Sequence, residues 1–334
     1  MKRSAREILE QANPINSTKR YDYHWKQFCN FCKLSEGKPN EEDFLQYFDF
    51  LKNERQYASS TLWSIYSMLN YKLQLLFGEK IQQYPRITLL LKSFEAGYVR
   101  KTANTFSKEQ ILEFLKEAPN DDEFVYMKAA VVIAWCGGLR CADLVEIVVS
   151  DCEFDETTGM WITYKVSKQK GERKSNTFNV PLELCEFLER HDNALHRSNA
   201  SNGRIFKTFR KNKNGTWYYT NQPMGKHTLA KVCTKMAEFL KLENPKSYTG
   251  HSMRRSSANL IAEAGASSEV MKKHFNWKNE ATCSKYVDST KSAKLQISKM
   301  FVSDETLTTH LSEKGEKQNI LKFENCQNVV VNFN

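Results

Sequence analysis

No stretch of the chain approaches the roughly 20 consecutive apolar residues that a membrane-spanning helix needs. The longest apolar run, Val131 to Trp135 with its flanks, reads as a buried helix. The opening residues Met1-Lys-Arg-Ser-Ala-Arg-Glu have no apolar segment behind them, so no secretory signal is expected. Nine cysteines are scattered without the rhythm of a disulfide framework, which fits reduced thiols in the cytosol or nucleus. Cys29 and Cys32 form a C-x-x-C, but neither a second such pair nor an H-x-x-x-H follows to complete a zinc site. Both fall among Tyr23, Trp25, Phe28 and Phe31 at helical spacing and read as small apolar residues of a helix core. There is no P-loop to cradle a nucleotide. There is also no Asp/Glu/His cluster of the kind a metal-dependent nuclease or transposase requires. Internal repeats are absent as well.

What remains is an ordinary globular composition with a charge bias. The 334 residues suffice for two domains, each able to bury its own core. Hydrophobic residues make up 40% and charged residues 26%, outside the disordered range, and aromatics at 12% supply large apolar surfaces to pack. The net charge of +10 favours a polyanionic partner, with DNA or RNA first and an acidic membrane surface second.

The first hundred residues carry helical periodicity only. Ser17-Thr18 can cap a helix with Tyr21, Trp25, Phe28 and Cys32 along one face. Asn40 begins a second, with Glu41, Glu42 and Asp43 in the first turn, where the helix dipole favours them, and Phe44, Leu45, Phe48 and Leu51 inward. Ser60 begins a third, through Leu62, Ile65, Leu69, Leu73 and Leu76. Pro85 opens a fourth that ends near Val99-Arg-Lys. Four amphipathic helices with short links make a bundle.

Residues 101–106 are polar and weakly periodic and read as a linker, after which Ser107-Lys-Glu-Gln110 is a capping-box start. The second part is mixed. Helices are expected at about 107–117, 122–136, 182–195, 226–241, 251–264, 268–275 and 280–300. Trp161–Val166 and Thr177–Val180 read as two short strands around a basic hairpin. The segment Phe323 to Phe333 alternates like a strand with no neighbour in sequence to pair with. The fold class is therefore mainly α with a small β-sheet, a helical bundle followed by an α+β domain.

Four stretches of the second part carry residues suited to phosphate chemistry. In Gly137-Gly-Leu-Arg-Cys-Ala-Asp143 an arginine follows a glycine turn that ends a buried helix. Its planar fork can take two oxygens of one phosphate, or equally pair with Asp143 or Glu146 at the surface. In Gly250-His-Ser-Met-Arg-Arg-Ser-Ser-Ala, His251 and Arg254 share one face at i and i+3, and a phosphate at this helix start would also meet backbone N–H groups. The hairpin Lys165-Val-Ser-Lys-Gln-Lys-Gly-Glu-Arg-Lys places a lysine where it is either solvated or reaches into a DNA groove to donate a proton. In the fourth, Phe275 to Asp288, Tyr286 taken alone is an ordinary helix-core tyrosine, and only the company of the other three stretches lifts it above that.

In that order Arg140, Lys168, His251, Arg254, Trp277 and Tyr286 resemble the active site of the tyrosine recombinases, the phage integrase family. G-G-L-R-C-A-D is similar to the family's first arginine box and H-x-x-R at 251–254 to its second. Trp277 stands nine residues before Tyr286, where the family carries His or Trp. Asp143 departs mildly from the Glu often found at its position. Lys168 and Lys170 lie two apart, and either can be the family's lysine. A closer resemblance is to the recombinases of Crypton-type eukaryotic DNA transposons. It runs through Leu242-Glu-Asn-Pro-Lys-Ser-Tyr-Thr-Gly-His-Ser-Met-Arg-Arg-Ser-Ser-Ala, Ala264-Gly-Ala-Ser-Ser and the Asn/Val-rich end, well over about 15–300 and loosely beyond.

The resemblance implies an N-terminal, SAM-like core-binding bundle over 1–103, a catalytic domain over 104–302 and a tail over 303–334. It implies double-stranded DNA as partner, a homotetramer on that DNA, a nuclear location, and chemistry without metal, ATP or other cofactor. Tyr286 would attack a DNA phosphate to give a 3′-phosphotyrosine. His251 would serve as base, Arg140 and Arg254 would hold the non-bridging oxygens, Lys168 would protonate the leaving 5′-oxygen, and Trp277 would hold an oxygen or pack the site. Lys19, Arg20, Lys26 and Lys72 are candidate phosphate contacts of the bundle, and the tail strand is expected to join a sheet, in a neighbouring subunit or within its own, the neighbour being favoured. The rival functions are a domesticated DNA-binding protein that no longer cuts and a type IB topoisomerase-like enzyme.

Overall fold

The structure is a computed structural model, and it describes residues 15–34, 37–99, 101–166, 175–201, 203–287, 290, 294–295, 298, 320–322 and 330–332. Lys168 and Lys170 lie outside these residues. The chain divides into two compact units, Met1–Lys101 and Thr102–Asn334.

The first unit is all helical: α1 (Ile15–Cys32), α2 (Glu41–Asn53), α3 (Ser59–Phe77) and α4 (Pro85–Ser93). Asn40 caps α2 as its sequence predicts, its side chain accepting from the Asp43 N–H while the Asp43 carboxylate accepts from the Asn40 N–H. Helix α1 starts before the expected Ser17-Thr18 cap. Helix α4 stops at Ser93, short of Val99, because the following turn carries Gly97 at φ +72°. Phe28, Phe44, Phe48, Leu62, Leu69 and Leu73 are fully buried at the centre of the bundle, with Phe28 stacked on Phe44 at 4.6 Å. Cys29 and Cys32 are half-buried against this core and carry no disulfide. One sequence expectation needs correcting. Lys72 is no phosphate ligand: it is buried on the inner face of α3, and its ammonium pairs with Asp22 at 2.5 Å.

The second unit is built round α6 (Asp122–Cys136), buried on nearly every side, as a helix apolar all round must be. Asp121 caps it, accepting from the Glu123 and Phe124 N–H groups. Around it lie α5 (Lys108–Glu117), the short α7 (Cys141–Leu144), α8 (Leu182–Arg197), α9 (Lys226–Phe239), α10 (Ser252–Glu263), α11 (Ser268–Phe275) and α12 (Glu280–Val287). The capping box at Ser107 forms as expected. A three-stranded antiparallel sheet, β1 (Cys152–Asp155), β2 (Gly159–Lys165) and β3 (Ser175–Val180), packs its Ile162, Tyr164, Phe178 and Val180 side into the core. Strand β1 is absent from the sequence reading.

A separate hairpin, β4 (Lys207–Lys211) and β5 (Trp217–Pro223), was likewise missed. Residues 101–106 are irregular, and from Asn104 onward they are fixed to the second unit. The Asn104 N–H donates to the Ser247 carbonyl, the Phe106 N–H donates to Ser256 Oγ, and Phe106 is buried against Tyr248. The reading of the tail strand as without a neighbour in sequence is also corrected. Strand β7 (Val330–Asn332) does have a partner close in sequence, pairing antiparallel with β6 (Ile320–Lys322). Among the described residues no helix is long and apolar enough to cross a membrane, and no group of three or more His, Cys, Asp or Glu could hold a metal ion.

Candidate active site

Helix α6 ends in the turn Gly137-Gly138, and Gly138 takes φ +53°, the left-handed conformation that glycine tolerates best. A side chain there would also strike the Phe275 ring. The turn delivers Arg140 to the start of α7, where its guanidinium faces the buried Asp143 carboxylate at 3.7 Å. The surface pairing left open from sequence is thus a half-buried contact, and it leaves the arginine partly accessible at 23% exposure.

The second arginine box is locked onto the first. Cys141 Sγ lies 3.4 Å from the Gly250 carbonyl, an approach so close that a Cβ on Gly250 would sit 2.6 Å from that sulfur. Gly250 leads into His251, which occupies the N-cap position of α10 and is exposed. The Thr249 N–H donates to Ser252 Oγ, the His251 N–H donates to Thr249 Oγ1, and Thr234 Oγ1 donates to the Tyr248 carbonyl, which fixes the approach to the helix. One turn on, Arg254 points inward. Nη1 donates to the Gly138 carbonyl at 2.6 Å and Nη2 to the Phe275 carbonyl at 2.5 Å. Two of its five N–H groups are so used, which ties α10 at once to the glycine turn and to the end of α11.

Above this guanidinium lies a column of rings. Arg254 Cζ is 5.4 Å from the Phe275 centroid and 5.6 Å from that of Trp277. Phe275 stacks on Trp277 at 4.5 Å and 20°, and Trp277 on Tyr286 at 5.3 Å and 11°. Asn276, in the left-handed conformation at the end of α11, makes the bend that turns Trp277 back over Phe275. Cys283, wholly buried and three residues before Tyr286, anchors the inner face of α12 between Ala258, Met271 and Phe275, so the tyrosine shares that face.

The electrostatics follow from burial. Arg254 is only 6% exposed, and desolvation, with the neighbouring Arg140 charge second, brings its pKa down to about 10. It therefore stays charged at neutral pH. Burial raises the Tyr164 phenol, which the Asn176 amide meets at 3.3 Å. Burial and then the Arg254 charge lower the His274 imidazole. Two guanidiniums against one carboxylate leave a surplus of positive charge beside a phenol, an arrangement that can take up the oxygens of a phosphodiester.

Four of the six residues singled out from sequence are thus interlocked through contacts or mutual electrostatic influence: Arg140, Arg254, Trp277 and Tyr286. His251 stands one turn from Arg254 on the same helix, and Lys168 falls outside the described residues. Sequence reasoning missed the frame: Tyr164, Asn176, His274 and Phe275. The amide of Asn176 donates both to Tyr164 and to the His274 carbonyl at 2.9 Å, joining β2, β3 and α11. The inward alternation Ile162, Tyr164, Val166 was the one available signal for Tyr164.

Residues 104–293 match the model of the phage integrase family. None of the curated proteins matches the chain. Among solved structures, the Tn1549 transposon integrase in complex with circular intermediate DNA is similar at TM-score 0.62 and 16% identity, over 89% of this chain and 97% of that one. The XerH site-specific recombinase in a post-cleavage complex on palindromic difH substrate gives 0.55 and 12%, over 83% and 76%. A lambda integrase dimer bound to a COC' core site gives 0.53 and 14%, over 85% and 92%. At these identities the likeness is one of fold. The family match spans more than half of the chain and includes both arginine boxes and Tyr286, so the protein belongs to the phage integrase family, the tyrosine recombinases.

Proposed function

We propose that this protein cleaves and rejoins double-stranded DNA through a covalent bond to Tyr286. The observation that carries the reading is the column Arg254–Trp277–Tyr286, which holds a phenol beside a buried guanidinium inside the family's matched region. The Tyr286 oxygen attacks the scissile phosphorus, the bond to the 5′-oxygen breaks, and a 3′-phosphotyrosine forms. An ordinary tyrosine ionises near pH 10, so its proton must be accepted as it attacks, and His251 is the base at hand. Arg140 and the remaining N–H groups of Arg254 hold the non-bridging oxygens. Lys168, or Lys170 beside it, gives a proton to the leaving oxygen. The phosphotyrosine keeps the energy of the broken bond, so rejoining needs no ATP.

The assembly belonging to this reading is a homotetramer on DNA, since exchange between two duplexes requires four cuts. The Leu242–Ala258 run and the scattered reduced cysteines support a recombinase of a Crypton-type mobile element acting in the nucleus. The test is a nicked duplex carrying candidate element-end DNA. The wild-type chain forms a denaturation-resistant protein–DNA band and the Tyr286→Phe variant forms none while still binding. An equal band from the phenylalanine variant overturns the assignment, and a wild-type chain that binds element ends without ever forming the band favours the domesticated, non-cutting reading.

A further inference from the structure

The β4–β5 hairpin takes no part in the site described above, yet it is among the most one-signed pieces of the molecule. Residues 193–237 contain nine Lys and Arg and no Asp or Glu. Several cations of this unit have carboxylate partners, among them Arg190 with Glu186, Arg204 with Glu146, Lys235 with Glu123 and Lys273 with Glu269. Arg210, Lys211 and Lys213 are exposed and meet no carboxylate among the described residues.

A cationic loop is usually a solvated surface, but this one is stiff. On its inner side Phe209 packs face to face on Trp217 at 4.4 Å and against Tyr219 at 5.1 Å, and Tyr219 is buried against His191. These rings bolt the hairpin to the body of the unit. Its tip is closed by hydrogen bonds. The Asn212 side-chain oxygen accepts from the Asn214 and Thr216 N–H groups, and the Asn212 N–H donates to the Thr216 carbonyl. Lys211 lies over the Trp217 ring at 5.6 Å. On the outer side Arg210 stands opposite Tyr218, both exposed.

We propose that this hairpin is an arm that grips duplex DNA, with Arg210 and the tip lysines on backbone phosphates and Tyr218 against the sugar edge. Preordered cations with no counter-charge meet a polyanion without first breaking ion pairs or losing much side-chain freedom. The partner follows from charge: the arm offers several cations and no acceptor carboxylate, which suits a phosphate backbone. The proposal rests on the reading of the protein as DNA-acting, but it does not need the chemistry at Tyr286.

The experiment measures binding of the full chain to a random-sequence 40-base-pair duplex by fluorescence anisotropy across a salt series, for wild type, Arg210→Gln/Lys213→Gln and the charge-conserving Arg210→Lys/Lys213→Arg. Each phosphate contact contributes roughly 0.9 to the slope of log K against log salt. The neutralised variant should therefore lose about 1.8 from the slope, which is about 30-fold in affinity at 0.15 M salt if binding at 1 M is unchanged. The charge-conserving variant should match wild type, and both should keep the wild-type circular dichroism spectrum. A neutralised variant that is folded and keeps the wild-type slope overturns the proposal, even where covalent adduct still forms at Tyr286. Loss of slope in a protein that never forms an adduct keeps the arm and removes the recombinase chemistry.

Discussion

Arg254→Lys is the substitution that separates a guanidinium that merely carries charge from one that also ties the site together. In the structure both terminal nitrogens are committed, to the Gly138 and Phe275 carbonyls, and the side chain is 6% exposed. Lysine has one nitrogen on a flexible stem in place of the two that reach these separate carbonyls, so moving to one leaves the other without its donor. The abandoned carbonyl is buried, and leaving it without a donor costs about 1–3 kcal/mol. Losing the flat contact with the Phe275 and Trp277 rings adds roughly 0.5–2 kcal/mol. The variant should therefore be about 2–4 kcal/mol less stable. For a unit of this size, at roughly 2–4 °C per kcal/mol, calorimetry should show its transition about 5–15 °C lower. Cleavage should fall by orders of magnitude in addition, because an ammonium cannot present two parallel N–H groups to a phosphate. A variant melting within about 1 °C of wild type would show that the two carbonyls are not bridged in solution and would refute the reasoning.

Other substitutions probe the same frame. Gly138→Ala forces a Cβ into the left-handed region, at about 1–2 kcal/mol, and into the Phe275 ring, at about 1–3 kcal/mol more; an unchanged urea midpoint would show that the turn is not built this way. His191 is fully enclosed beside Phe206 and Tyr219, and burial brings its pKa down from 6.5 to about 4. The native state resists protonating it, so its contribution is whole above pH 6.5 and is lost as pH falls toward 4. At pH 5 the loss is roughly 2 kcal/mol, and His191→Phe should flatten that part of the stability–pH curve; an unaltered slope would contradict it. A 5′-bridging phosphorothioate substrate has a leaving group that needs no proton. It should restore cleavage to whichever of Lys168→Ala and Lys170→Ala lacks the general acid, and rescue of neither removes that role from the hairpin.

The parts of this molecule legible in its sequence are those settled within a few residues. The capping boxes at Asn40 and Ser107 need only side chains three apart, and the apolar run Ala129 to Cys136 announces a buried helix by itself. Interactions across the chain were not legible. That Arg254 reaches a carbonyl 116 residues upstream and another 21 downstream depends on how α6, α10 and α11 pack, and no local pattern encodes it. Lys72 read as a surface cation because lysine usually is one. Its place between Leu69 and Leu73, on the buried stripe of α3, was the signal that it turns inward to Asp22. The β4–β5 hairpin was missed although Asn214-Gly215 marks a turn, because its alternation is carried by only three rings, Phe209, Trp217 and Tyr219, amid polar residues. The tail strand was taken as unpartnered because Ile320-Leu-Lys is too short to register until the chain folds back on it. The candidate set was picked out by its order and spacing, and the structure adds the column of rings through which Arg254 is joined to Tyr286.

The central claim is that Tyr286 itself becomes bonded to DNA. The most direct measurement is to trap the wild-type chain on a nicked duplex, digest the DNA to a nucleotide remnant, cut the protein with trypsin and locate the remnant by mass spectrometry. The account predicts a nucleotide joined through its 3′-phosphate to Tyr286 and to no other residue. A remnant on another side chain, the buried Tyr164 included, would contradict it, as would a trapped complex whose DNA is cut but whose protein carries no nucleotide.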